Sequence, residues 1–127
     1  MQLNLERPDY AYFLRGADGS TALVNDRRIT ASFAVAPDRL VEDWNVTDAR
    51  HLTPDDLAPL LQLEPEVIVL GTGARQVFPS AAVMAACLGR GIGLEVMSNA
   101  AAARTFNVLA GESRRVVAAF VLEPSAD

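Results

Sequence analysis

The run from Val67 to Gly73 constrains the fold more than any other part of the chain. Four apolar residues, mostly β-branched, lead directly into Gly71-Thr72-Gly73. This pattern is typical of a fully buried strand that ends in a tight glycine turn. Ligands in open α/β sheets bind beyond the carboxyl ends of the strands. We therefore expect any functional site to lie at this turn, ahead of the helix that is predicted to begin at Ser80.

The second half of the chain alternates between predicted helices and predicted strands. Threonine or serine N-caps, a first-turn proline and terminal glycines mark the helix ends. The predicted elements are a helix from Thr53 that stops before Pro65, the 67–70 strand, a helix from Ser80 to Gly89, a strand over 93–97, a helix from Ser98 or Asn99 to Gly111, and a strand over 115–122. The last strand is apolar on both faces, so we expect it to be central in its sheet.

The first third of the chain predicts antiparallel β-structure. Turn residues separate short apolar runs, as they do in hairpins. The predicted order is a strand over 10–14, a turn over 15–20, a strand over 21–24, a turn at 25–26, a strand over 28–35 and, in preference to one helical turn, a short strand over 40–44. The whole pattern predicts an α/β fold: one three-layer domain over residues 1–127, ordered from about 8 to 123, with a central mixed β-sheet, helices packed on it and an N-terminal antiparallel β portion.

Composition excludes several classes of chemistry. All eleven basic residues are arginine, so Schiff-base lysines and the phosphate-binding lysine of nucleotide-binding loops are ruled out. With one cysteine, Cys87, and one histidine, His51, neither a disulfide framework nor a metal cluster is expected, and no cofactor is predicted. The net charge of −5 argues against nucleic-acid binding.

The distribution of apolar residues also bears on location. Apolar runs such as 116–122 are far shorter than the roughly 20 residues of a membrane span, so no membrane insertion is expected. The first six residues show neither the basic flank nor the apolar core of a signal peptide. These two features predict a cytoplasmic location.

A candidate ligand or partner cleft surrounds the glycine turn. Backbone amides of the turn, together with the helix start at Ser80, could cradle an anion, and arginines could clamp it. The alternative is a tight connection that needs glycine only for its backbone angles. Gln76 stands where a dinucleotide-binding motif requires a third glycine, so nucleotide binding is weakly supported. The candidate cleft comprises Gly71, Thr72, Gly73, Arg75, Ser80, Gly91, Arg104, Thr105 and Asn107.

The remaining chemically interesting residues have simpler interpretations. Thr105 and Asn107 are expected to pack or to bridge neighbouring loops more readily than to bind a ligand. His51 lies in a loop with no nucleophile at a recognisable spacing, and Cys87 lies among apolar residues as a buried thiol would. Trp44 is expected in the core. No catalytic residues are predicted.

Four ordered blocks carry a resemblance to a known family: PEVIVLGTG, FPS, RGIGLEVM and AAARTFNVLAGESRRVVAAFV. The chain resembles the family known as domain of unknown function 498, which includes archaeal and bacterial proteins and a mitochondrial assembly factor of respiratory complex I. The resemblance spans nearly the whole chain and is strongest over 65–122. It implies a three-layer fold with a central mixed sheet and, for bacterial members, no established enzymatic activity.

This chain departs from the family pattern at the third predicted helix. Relatives often have an aspartate and a threonine where Ser98 and Asn99 stand, and a cysteine where Ala103 stands. A thiol mechanism at that position cannot operate here. Phe106 replaces the usual tyrosine, which removes a phenolic hydroxyl.

Three functions follow from these observations. The leading hypothesis, which rests on the resemblance, is a non-enzymatic accessory protein whose cleft binds protein partners, with respiratory complex I subunits as the partners that the family implies. The rival is a binding protein or enzyme for an anionic metabolite, held by Arg75, Arg104 and the loop amides. The third is a homo-oligomer, since the apolar content is high for so short a chain.

Overall fold

The computed structural model describes residues 11–124, in which the chain forms eight strands and three α-helices. The strands are β1 (Leu14–Ala17), β2 (Ala22–Val24), β3 (Arg27–Ile29), β4 (Phe33–Ala36), β5 (Arg39–Val41), β6 (Val67–Gly71), β7 (Gly93–Met97) and β8 (Val116–Phe120). The helices are α1 (Ala58–Leu61), α2 (Ala81–Leu88) and α3 (Asn99–Gly111). Short 3-10 turns cover Ala49–His51 and Pro54–Leu57, and the second runs into α1.

The strands form two sheets. The small sheet is antiparallel, in the order β1-β2-β3. The large sheet has the order β5-β4-β8-β6-β7, in which β4 runs antiparallel to β5 and β8, while β6 runs parallel to β7 and β8. The predicted mixed sheet is thus confirmed, and β8 is its central strand, as its apolar faces indicated.

Two buried clusters lie on opposite faces of the large sheet and make the fold three-layered. Because side chains alternate along a strand, Val67 and Val69 of β6 point to one face while Ile68 and Leu70 point to the other. The first face packs against α3 and the small sheet, and includes the stacked rings of Phe33 and Phe120, 4.9 Å apart. The second face packs against α1, α2 and the 3-10 turns.

Local capping explains where the helical segments begin. The Thr53 backbone N–H donates to Asp56 Oδ2 at 2.8 Å, which starts the 3-10 turn before α1. Ser80 and Ser98 are the N-caps of α2 and α3, and each hydroxyl accepts a hydrogen bond from the backbone N–H three residues later. All three helix starts lie where the sequence predicted them.

The first strand differs from the prediction. It covers 14–17 rather than 10–14, and Tyr10 lies outside the described residues. The turn forms at Asp18, whose Oδ1 accepts hydrogen bonds from the backbone N–H groups of Ser20 at 2.9 Å and Thr21 at 2.8 Å. The chain therefore turns at the aspartate, and Gly16 continues the strand.

The predicted strand over 28–35 is in fact two strands in two different sheets. β3 ends at Ile29 and β4 begins at Phe33. Between them the buried Ser32 hydroxyl accepts a hydrogen bond from the Leu122 backbone N–H at 2.8 Å, which ties the crossing point to the end of β8. Further along, the short predicted strand ends at Val41, and Trp44 is buried as expected.

Candidate functional site

The carboxyl ends of β6 and β7 form the point where the chain direction switches. After β6 the chain crosses to α2 on one face of the sheet, whereas after β7 it crosses to α3 on the other face. Adjacent parallel strands whose connections leave in opposite directions open a crevice, which is the usual binding position in such sheets. The structure therefore indicates the same turn as the candidate site as the sequence does.

The loop that follows β6 closes this crevice with its own hydrogen bonds. The Thr72 backbone N–H donates to the Met97 carbonyl at 3.0 Å, at the end of β7. The buried Thr72 hydroxyl donates to the Arg75 carbonyl at 2.7 Å and accepts from the Val77 backbone N–H at 2.9 Å. One threonine therefore holds both the turn and the neighbouring strand end.

Asn99 joins three parts of the fold at this point, and it is fully buried. Its Oδ1 accepts from the Gly73 backbone N–H at 3.2 Å, and its Nδ2 donates to the carbonyls of Asp18 and Val121, each at 2.9 Å. Its own backbone N–H donates to the Gly73 carbonyl at 2.8 Å. The glycine turn, the β1–β2 turn and the end of β8 are thus linked through one side chain.

The two glycines of the turn meet different requirements. A Cβ on Gly71 would overlap Asn99 Oδ1 and would lie 3.2 Å from the Ala102 Cβ, so close packing of α3 demands glycine there. Gly73 has a φ of 115°, which side-chain-bearing residues rarely adopt. The backbone N–H groups of Thr72 and Gly73 both donate within the protein, so neither is directed at a ligand.

Arg75 and Arg104, the two arginines of the candidate cleft, are both exposed. Neither guanidinium forms an ion pair or hydrogen bond with any part of the chain from 11 to 124. Arg75 follows the turn directly. Arg104 is five residues beyond Asn99, about 7.5 Å along the axis of α3, on the face that points to solvent. Arg75 thus lies directly after the turn, whereas Arg104 lies further along α3.

Three other predicted cleft residues, Ser80, Asn107 and Thr105, lie at the start of α2 or on α3. Ser80 is the N-cap of α2. Asn107 binds the backbone of Leu14 in both directions, accepting from its N–H at 3.0 Å and donating to its carbonyl at 2.7 Å, and so docks β1 on α3. Thr105 lies half-buried on α3. Asn107 thus bridges elements, as the simpler interpretation expected.

The fold places Gly91 away from the turn, as it does Asn107, which is eight residues, or about 12 Å, beyond Asn99 along α3. Gly91 precedes β7, whose Gly93 pairs with Val67 at the amino ends of the parallel strands. Gly71 pairs with Met97 at the other end, so the length of β7, about 13 Å, separates the two glycines. Gly91 has a φ of 70° and serves the turn between α2 and β7.

A small cavity of about 110 Å³ lies beside Thr72, and no pattern in the sequence predicts it. Its polar lining includes Asp48, Arg50 and Glu123. The Arg50 guanidinium holds Asp48 with two hydrogen bonds, Nε to Oδ1 at 3.1 Å and Nη2 to Oδ2 at 2.9 Å. These residues are far apart in sequence from Thr72, so no local motif could have indicated the group.

The pKa of the Asp48 carboxyl lies below its ordinary value. Hydrogen bonds from the Arg50 side chain, and then from its backbone N–H, lower the pKa of Asp48 from 3.8 to about 2. Because the folded pKa lies below the unfolded one, this carboxylate stabilises the fold above about pH 4, and the contribution is lost as pH falls toward 2.

We expect an NMR titration of the Asp48 carboxyl carbon to have its midpoint near pH 2. In Arg50→Gln the midpoint should rise by about one pH unit, since the guanidinium bonds are lost while the backbone bond remains. An unchanged midpoint in that variant would contradict the role of the guanidinium.

Cys87 and His51 behave as the sequence predicted. Cys87 is buried in the second cluster, and burial raises the pKa of its thiol. His51 is exposed, with Nδ1 at 3.6 Å from Asp48 Oδ2. Within residues 11–124, no group of three or more His, Cys, Asp or Glu side chains could hold a metal ion. No helix in this range has the length and apolar character needed to cross a membrane.

Comparison with known proteins reveals clear relatives. The family model described as "Protein of unknown function (DUF498/DUF598)" matches residues 15–121. NADH dehydrogenase [ubiquinone] 1 alpha subcomplex assembly factor 3 of Danio rerio is 35% identical over 118 residues, which cover 91% of this chain and 64% of that protein. The Homo sapiens protein of the same name is 35% identical over 104 residues, covering 80% and 56%. The chain thus spans less than two thirds of these relatives.

Solved structures share the same architecture. The NMR structure of Xanthomonas campestris XCC1710 is 56% identical, with a TM-score of 0.82, and the match covers 96% of this chain and 92% of that one. The solution NMR structure of a Bordetella pertussis protein, described as a Mth938-like domain, is 28% identical with a TM-score of 0.81, over 98% and 94%. These structures confirm the predicted three-layer α/β fold.

Proposed function

This chain belongs to the DUF498/DUF598 family, and from that premise we propose that it is a non-enzymatic accessory protein that acts by binding a protein partner. Its curated relatives carry the name of an assembly factor for NADH dehydrogenase. By that likeness, subunits of respiratory complex I are the partners we propose to test first. The cytoplasmic location expected from the sequence is proposed on the same footing.

The observation that carries the proposal is the contrast between the glycine turn and the arginines beside it. The backbone N–H groups of Thr72 and Gly73 are occupied by Met97 and Asn99. Arg75, by contrast, presents a guanidinium to solvent without a partner in the described part of the chain, and Arg104 does the same. A turn held by its own hydrogen bonds, with one unpaired arginine after it and another on the solvent face of α3, suits contact with carboxylates on another protein.

The same contrast weighs against the rival function, in which an anionic metabolite binds to the loop amides. An anion cradle requires backbone N–H groups that converge on open space. Here the backbone N–H groups of Thr72 and Gly73 both donate inside the protein. A metabolite would have to rely on the two arginines alone, whose exposure offers no enclosed site.

Reversing both charges should weaken partner binding. We expect Arg75→Glu/Arg104→Glu to lower the recovery of partner proteins from native-cell extracts by about tenfold or more, because like charges would then face each other. Crosslinking with affinity purification and quantitative mass spectrometry measures this. Arg39→Glu is the matched control for the single substitutions Arg75→Glu and Arg104→Glu: it makes the same charge change at an exposed arginine that begins β5, at the other end of the sheet.

Two results would contradict the proposal. One is a partner set that is the same for the double variant and the wild-type protein. The other is a protein that retains no partner but whose melting temperature rises when small carboxylates or phosphates are added, with no such rise when Arg104 is substituted. That result would favour the metabolite-binding function.

A further inference from the structure

Helix α2 is apolar on every side, although only one side is buried. Its sequence, Ala-Ala-Val-Met-Ala-Ala-Cys-Leu, contains no polar side chain. Val83 and Cys87 face the core. The α2 stripe, which comprises Ala81, Met84, Ala85 and Leu88, faces solvent at the i, i+3, i+4, i+7 spacing of one helix face. A helix that is hydrophobic all round is normally covered on all sides.

The exposure of large side chains here is pronounced. Leu88 is 79% exposed, and Phe78, in the loop just before α2, is 63% exposed. Charged groups are absent from the α2 stripe, and the nearest in sequence is Arg90, beyond the end of the helix. A contiguous apolar surface of this kind marks a site where another protein surface binds.

The neighbouring sheet edge is protected against a partner strand, so the covering surface has to pack on the helix. β7 is the edge strand of the large sheet. Since the Met97 carbonyl points to β6, the Val96 carbonyl points outward, where it accepts a hydrogen bond from Gln76 Nε2 at 2.8 Å. The exposed Glu95 adds a charge to the same edge. Both features discourage strand addition.

We propose that a second copy of this chain covers α2, forming an antiparallel helix pair about a two-fold axis between Met84 and Ala85. In an isologous contact, residue i faces j and j faces i. This axis places Leu88 opposite Ala81 of the other copy and Met84 opposite Ala85. Each large side chain then meets a small one, which is how facing helices interdigitate.

The same axis also accommodates the aromatic side chain next to the helix. The antiparallel arrangement brings Phe78, which precedes the helix, to the same end of the contact as Gly91 of the other copy, which lies three residues beyond the end of α2. A Cβ on Gly91 would meet no atom within 4 Å, so open space lies over this glycine for a ring to occupy. Met84 and Leu88, the large residues of the α2 stripe, therefore both face alanine in one register, and the open space at Gly91 lies at the end of the contact where Phe78 of the other copy is found. This match is the reason to assign a second copy rather than an unrelated partner.

The geometry predicts a weak dimer. An eight-residue helix is about 12 Å long, so the contact falls short of the roughly 800 Å² per partner of a standard interface. We expect a dissociation constant of about 10–100 µM. Because α3 and Arg104 lie on the other face of the sheet, dimerisation leaves Arg104 free, whereas Arg75 is only three residues before Phe78, at the edge of the contact.

Charge complementation tests both the contact and its register. Leu88→Glu alone and Ala81→Lys alone should each raise the dimer dissociation constant more than about tenfold, since each homodimer would bury two unpaired charges. An equimolar mixture should form heterodimers near wild-type strength, because residue 88 of one variant faces residue 81 of the other. Sedimentation velocity under reducing conditions, from about 1 to 500 µM, measures all three.

A mismatched mixture provides the control. Leu88→Glu mixed with Leu88→Lys should remain monomeric, since the two residues lie at opposite ends of an antiparallel pair, about 10 Å apart along the axis. Both substituted positions are exposed, and circular dichroism verifies that each variant is folded. The proposal is overturned by a wild-type protein that stays monomeric to about 500 µM, by a dimer that neither substitution weakens, or by rescue in the mismatched mixture alone.

Discussion

Replacing Asn99 with alanine is expected to lower the free energy of unfolding by roughly 3–4 kcal/mol. The substitution removes the partner of three backbone groups: the Gly73 N–H and the carbonyls of Asp18 and Val121. A buried polar group without a partner costs about 1–3 kcal/mol, and at least two of these groups are buried in the contact with Asn99. The lost side-chain volume adds a small cavity to that cost.

Urea denaturation followed by circular dichroism measures the loss. Asn107→Ala is the matched control, because it also removes two hydrogen bonds to backbone, but at a half-buried position where water can replace the side chain. We expect the control to lose about 1–2 kcal/mol. A loss for Asn99→Ala no larger than that of the control would show that the three-way junction is not a major source of stability.

The second half of the fold could be predicted because its signals are local. Ser80 and Ser98 cap helices through contacts only three residues away, and Thr53 does the same with Asp56. The buried strand β6 is a continuous apolar run that needs no distant information. Where a few neighbouring residues determine the structure, sequence and structure agree to within about one or two residues.

The first third could not be predicted in detail because distant contacts determine it. The end of β3 and the start of β4 depend on Ser32 and its hydrogen bond to Leu122, ninety positions away. The position of β1 depends on Asn107, which holds the backbone of Leu14 from the other end of the chain. Neither contact leaves a mark in the local pattern of apolar and polar residues.

In the candidate site, too, some features are determined by neighbouring residues and others by distant contacts. The position of the glycine turn beyond a buried strand followed from the residues themselves. The residues themselves did not show which backbone amides remain free, because the N–H groups of Thr72 and Gly73 donate to Met97 and Asn99, more than twenty positions away. The sequence indicated Asn99 only as a possible helix cap and as a departure from the family pattern, since nothing in its neighbours shows that its side chain is buried.

Gly71→Ala is expected to lower the free energy of unfolding by about 2–4 kcal/mol. The added methyl would overlap Asn99 Oδ1 and would press on Ala102 and Phe120, each 3.2 Å from the Cβ position. Gly71 ends β6 and packs against the first turn of α3, so relief requires a shift of the helix or of the Asn99 side chain. Either movement weakens the bond to the Gly73 amide.

A double-mutant cycle can show that the loss arises at this contact. Gly111→Ala is the matched control, because a Cβ there meets nothing within 4 Å and the residue ends α3; its stability should be unchanged or higher by up to about 1 kcal/mol. The double variant Gly71→Ala/Asn99→Ala should lose less free energy of unfolding than the sum of the two single losses, by about 1 kcal/mol or more. The reason is that Asn99→Ala removes the Oδ1 atom that the methyl group at position 71 would overlap. Full additivity would mean that the methyl destabilises the protein elsewhere, and that the close approach of Asn99 is not the reason for glycine at this position.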